Sequence, residues 1–168
     1  IMLLLIYGKK VLIIWIRRIL VIMDEFEKIQ DILYNDASIE EIKKKIEELD
    51  NPQDIYVLSY NYNWDDGFEI PTLIINNSHC DLSAALLLFY SAEGEEYWSD
   101  DFDKTDEEQY NFINKLHNDI LKGKFIMAGI EFIVPLSKVE KYKLKKKLND
   151  NEEIFITDII GEDLSIDL

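Results

Sequence analysis

The chain holds one cysteine, Cys80, among 168 residues, so no disulfide can form within it and a reducing compartment fits. Glycine and proline are scarce, at six and three, which excludes collagen-like and linker-like architectures. Basic residues are also in deficit. Eighteen Lys and Arg face 34 Asp and Glu, for a formal charge of −16. That balance argues against nonspecific DNA or anionic-membrane binding, because phosphate contacts require Lys and Arg. There is no phosphate-binding glycine loop, no paired-glycine dinucleotide motif, no serine nucleophile elbow and no His-Glu-x-x-His zinc helix. No cofactor and no metal are therefore expected. What is present is a 48% hydrophobic chain of one domain's length, long enough to bury a core.

Composition changes abruptly near Met23. Residues 1–22 carry four basic residues, including both arginines (Arg17 and Arg18), and no acid. From Met23 onward, 14 lysines face 34 acids, a net −20. A membrane-spanning helix needs about 20 consecutive apolar residues. Gly8-Lys9-Lys10 and Arg17-Arg18 cut this stretch into short pieces. A signal peptide needs an uninterrupted apolar stretch and a small-residue cleavage site. The expectation for 1–22 is an over-extended start, with a membrane or signal-like segment and a genuine element of the fold as alternatives. Residues 23–155 are expected to form a single helical domain, followed by an acidic tail over 156–168.

Helical punctuation dominates the body. Phe26, Ile29, Ile32 and Leu33 stand at helical spacing. Ser38 with Glu41, Thr105 with Glu108 and Ser137 with Glu140 have capping-box spacing. Asn51-Pro52 is a cap followed by proline at the first helical position. Asp66 and Glu69 resemble another capping pair before a helix reaching about Asn77. Asp81 caps 82–92, apolar nearly all round, with Gly94 expected to end it. Residues 125–134 are β-branched and aromatic, which predicts an extended segment or a hairpin around Gly129. In the tail, Ile154, Phe155, Ile156, Ile159 and Ile160 are expected to add a strand or pack down, with the last residues loose. The expected fold is mostly α: stacked helical hairpins, α-solenoid-like, with a small extended element near 125–135.

Three places carry enough polar chemistry to weigh. Asn63, Asp65, Asp66 and Glu69 set three carboxylates within five residues, suited to helix capping, to partner contact, or to metal and acid/base work. Trp64 beside them is a core residue or an interface anchor. His79-Cys80-Asp81 lacks a second ligand set at metal spacing, and His117 falls on the apolar side of its helix. Residues 93–108 have a net charge of −8, interleaved with Tyr97, Trp98 and Phe102, and read as a loop with room for one short turn. Residues 137–148 are net +5, and the Lys138, Lys141, Lys145 stripe is expected to pair with the chain's own acids or stay solvated.

The string Tyr60-Asn61-Tyr62-Asn63-Trp64-Asp65-Asp66-Gly67-Phe68-Glu69-Ile70-Pro71 continues through Ile74-Ile75-Asn76-Asn77, Cys80-Asp81-Leu82 and Ala85-Leu86-Leu87-Leu88-Phe89-Tyr90. Over roughly 53–92 it resembles the uncharacterised bacterial family of domains of unknown function numbered 4274, with a looser likeness to about 155. Ser78 stands where such proteins are expected to have proline, and Ser83 where glycine is expected. The resemblance implies a helical fold and carries over no catalytic residue.

Expected function follows from charge and aromatics: a noncatalytic, cytoplasmic binding protein of the immunity or inhibitor type, facing a basic toxin or nuclease. The candidate partner contacts are Asn63, Trp64, Asp65, Asp66, Glu69, Tyr97, Trp98 and Phe102. Alternatives are a hydrolase or metal enzyme centred on Asp65, Asp66 and Glu69, and a scaffold module.

Overall fold

The computed structural model describes residues 26–168 except 36, 100, 101 and 103. The expectations for 1–22 lie outside the described residues. Residues 26–34 are helical (α1) and bury Ile29 and Ile32. Ser38 then opens α2 (Ile39–Glu47): its side chain accepts the Glu41 N–H, and Glu41 accepts the Ser38 N–H at 2.9 Å. Each bond satisfies a backbone donor that the helix start leaves without a partner. Asn51 caps α3 (Pro52–Tyr60), where the missing proline N–H costs nothing at the first helical position.

Next come α4 (Glu69–Asn76), α5 (Leu82–Ser91), α6 (Glu107–Leu121) and α7 (Lys138–Lys145). Helix α5 lies between α3 and α6, while α4 packs against α2 and α3. This position explains why α5 is apolar nearly all round: Ala84, Ala85, Leu86, Leu88 and Phe89 are all fully buried. Burying side chains of this size stabilises the fold by about 1.5–3 kcal/mol each before entropy is counted. Asn77, just beyond α4, donates from Nδ2 to the carbonyls of Ile46 and Leu49 at 2.7 and 2.9 Å. Those carbonyls sit at and just past the end of α2, where carbonyls lack intrahelical N–H donors, so Asn77 fastens the two helix ends together. The result is the mostly α fold of packed helices that the helical periodicity predicts.

Three local expectations change. Thr105 does not cap α6; Asp106 does, accepting the Gln109 N–H at 3.1 Å. The Asp66/Glu69 capping pair does not form, and α4 starts at Phe68 with no side-chain cap. Gly94 does not supply the left-handed residue after α5. Glu93 does, at φ 62°. Gly94 is needed for a different reason: a Cβ there would come within 2.5 Å of the Phe89 ring.

The segment 125–134 is extended, but it does not fold back on itself as a hairpin around Gly129. Its bridges go elsewhere: Ile126 to Asp81 in parallel, Phe132 to Ile159 in antiparallel, and Ile130 to Glu162 in parallel. The acidic tail supplies two of these partners. A 3-10 helix over Asp150–Ile156 buries Phe155 in the core, and Ile159 and Leu164 follow it down. Even the last residue is held, since the Leu168 N–H donates to Asn61 Oδ1 at 2.9 Å. The tail packs because Phe155 meets Phe89 of α5 and Ile159 pairs with Phe132, long-range pairings that local pattern does not disclose. Among the described residues, no helix is long and apolar enough to cross a membrane.

Candidate functional site

The motif between α3 and α4 builds a corner. Asn63 caps a single 3-10 turn, Trp64–Asp66, by accepting the Asp65 N–H at 3.3 Å, and its Nδ2 donates to Asp66 Oδ2 at 3.2 Å. Gly67 follows at φ 81°, a left-handed conformation that suits glycine. Tyr62 is buried and donates to the Gly67 carbonyl at 2.8 Å. Trp64 is half-buried. Its ring meets Tyr62, Phe68 and Phe112 edge-on, with centroids 5.5, 5.7 and 6.1 Å away. The asparagine and the tryptophan therefore shape and anchor the corner.

The three carboxylates do not converge. Asp65 and Asp66 are exposed on the turn, while Glu69 alone reaches a shallow cleft of about 570 Å³ lined by Phe68, Leu73, Glu108, Phe112 and Lys115. Among the described residues, no three His, Cys, Asp or Glu side chains form a group able to hold a metal ion.

His79, Cys80 and Asp81 also diverge. His79 is exposed, whereas Cys80 is buried and burial pushes its thiol well above the ordinary range. Asp81 is the buried cap of α5, taking the Ala84 N–H at 2.8 Å. Burial pushes the Asp81 carboxyl up, while backbone N–H groups of Ala84, Ser83 and Ala128 pull it down.

The acidic stretch 93–108 contains the one short turn expected of it. Gly94–Trp98 forms a 3-10 helix against α5 and α6. Its aromatics pack against the body, each remaining partly exposed. Tyr97 stacks on His117 at 4.6 Å, Trp98 meets Phe155 at 5.1 Å, and Phe102 lies 6.3 Å from Tyr97. Tyr97 also donates to Asn114 Oδ1 at 3.0 Å. With the rings turned in, Glu93, Glu96, Asp106, Glu107 and Glu108 are exposed. The aromatic residues thus fasten the described part of the segment and leave these five carboxylates on the surface.

Beneath them is a polar group that the sequence reading passed over as a partnership. His117 and Glu152 are 6% and 5% exposed, and His117 Nε2 lies 2.8 Å from Glu152 Oε1. The imidazole lies parallel to the Phe155 ring, 5.0 Å away at 10°. Trp98 Nε1 donates to the same Glu152 oxygen at 3.1 Å, and the Asn149 backbone N–H and side-chain amide donate to the other at 2.8 and 2.9 Å. Burial would raise the Glu152 carboxyl, but the bonds from Asn149, His117 and Trp98 together hold it below its ordinary value. The available signal was Asn149 followed three residues later by Glu152, another capping spacing. The basic stripe is largely consumed internally: Lys141 meets Asp158 at 2.6 Å and Lys145 meets Glu153 at 2.9 Å, while Lys138 is exposed.

No curated protein and no solved structure matches the chain. The corner, α5 and the fastened acidic segment nevertheless fall inside one recognisable stretch. Residues 50–121, from the residue before the α3 cap to the end of α6, match the family described as Domain of unknown function (DUF4274).

Proposed function

We propose that the chain is a noncatalytic, cytoplasmic binding protein of the immunity or inhibitor type, which holds a basic protein partner through its acidic surface at 93–108 and the start of α6. The observation that carries this reading is the arrangement of the described residues: Tyr97 and Trp98 pack on the body while Glu93, Glu96, Asp106, Glu107 and Glu108 are exposed. A flexible acidic loop would lose conformational entropy on binding. A segment already fastened by Tyr97, Trp98 and Phe102 presents its charge pre-ordered. Such a field speeds encounter with a basic partner and disfavours acidic ones. The dispersal of Asp65, Asp66 and Glu69 supports a shaping role for the corner in this reading.

The test is association with the basic proteins encoded beside this gene, measured as rate against salt. Glu107→Lys with Glu108→Lys should slow association by about tenfold or more at low salt and flatten its salt dependence. A partner bound equally fast by the charge-reversed protein, or the absence of any stoichiometric basic partner, overturns the reading.

A further inference from the structure

Between the 3-10 helix Gly94–Trp98 and α7 lies a cleft of about 380 Å³, lined by Glu95, Glu96, Trp98, Leu136, Glu140 and Lys143, with Lys147 at its edge. Most of its polar atoms already have partners. Lys147 Nζ donates to the Trp98 carbonyl at 3.0 Å. Glu140 accepts the Ser137 N–H at 2.7 Å in the cap of α7. Lys143 lies close enough for its charge to help hold the Glu140 carboxyl down, after the hydrogen bonds from Ser137. The Trp98 indole N–H is committed to Glu152, so what Trp98 offers a ligand is ring surface.

Glu95 is the exception. Its Oε2 is buried and meets no hydrogen-bond donor among the described residues. A buried acceptor without a donor costs about 1–3 kcal/mol, and more for a charged group. Glu93, Glu96 and Glu140 add to the negative field there. The cleft thus combines an unfilled carboxylate acceptor, an aromatic surface and apolar walls from Leu136 and Leu144. Those features match a planar cation on an aliphatic stem. A guanidinium can give two parallel N–H bonds to a carboxylate and lie on an aromatic ring, while its methylenes contact leucine.

We infer that this cleft is a socket for an arginine side chain of the incoming basic protein, with Glu95 as the acceptor and Trp98 as the stacking surface. The inference rests on the partner reading above for the source of the arginine. The socket itself is tested with a small probe.

The probe is N-acetyl-L-arginine amide, with the matching citrulline amide as its uncharged counterpart. Binding is followed by NMR at the Trp98 indole N–H, assigned with Trp98→Phe, and at the Glu95 side-chain carboxyl carbon. The arginine probe should shift both signals saturably, the citrulline probe should not, and Glu95→Gln should weaken binding by about tenfold or more. Equal response to citrulline, undiminished binding by Glu95→Gln, or a Glu95 carboxyl unmoved in the unaltered protein overturns the socket. The last measurement needs no variant, so it decides the matter even if Glu95→Gln fails to fold. A protein that takes the arginine probe at Glu95 but binds no basic protein keeps the socket and loses the partner reading. Binding a basic partner with Glu95 silent does the reverse.

Discussion

His117 and Glu152 face each other at 2.8 Å across 35 residues of chain, joining α6 to the 3-10 helix Asp150–Ile156 inside a wall of aromatic rings. Glu152 gathers bonds from His117, Trp98 and Asn149, so one carboxylate ties three segments together. Replacing it with alanine leaves several donors buried without an acceptor. Glu152→Ala should cost about 3 kcal/mol of unfolding free energy, measured by urea denaturation.

The same carboxylate sets an acid limit. Its folded-state value lies below the ordinary 4.5. A depressed carboxylate contributes stability that is fully present above the unfolded value and is lost as pH falls through the folded one. Melting temperature should therefore drop as pH falls below about 5. Glu152→Gln should be less stable at neutral pH and lose stability less steeply over that acid interval. An unchanged slope would show that other carboxylates govern the acid response.

Gly94 and Glu93 make a paired prediction at the end of α5. Gly94→Ala drives a methyl group into Phe89, which is fully buried, and should cost about 1–3 kcal/mol. Glu93→Gly should be neutral or stabilising by up to about 1 kcal/mol, because it relieves the left-handed backbone at φ 62°. Thermal melts of the two variants should move in opposite directions, or the second should not move.

At the corner, Trp64→Ala removes a ring packed on Tyr62, Phe68 and Phe112 and should destabilise by about 3 kcal/mol. Asp65→Ala, exposed on the turn, should stay within about 0.5 kcal/mol. A large loss of stability from Asp65→Ala and none from Trp64→Ala would reverse the roles assigned here.

Local chemistry was the legible part. The boxes at Ser38 with Glu41 and Ser137 with Glu140, the Asn51-Pro52 start and the Asp81 cap form as their spacing predicts, because each needs only neighbours within one helical turn. The cap one residue off, Asp106 in place of Thr105, shows the limit where several acceptors stand in a row. Pairings across the chain were hidden. Ile159 opposite Phe132, Phe155 beside Phe89 and Glu152 beneath Trp98 depend on how the tail returns, and no periodicity encodes that. His117 read as a packed histidine, which it is; its acid partner lay too far along the chain to be named.

The placement of Phe155 has a bearing on how the protein is made. It packs 4.8 Å from Phe89 and accepts the Tyr90 hydroxyl on its carbonyl, so part of the cover of α5 comes from residues synthesised more than sixty positions later. While the ribosome is still adding that stretch, α3 to α6 can associate but Phe89 and Tyr90 lack their cover. The closing step must wait until Phe155 has been made, and a nascent chain stalled before it would present a sticky aromatic face to chaperones.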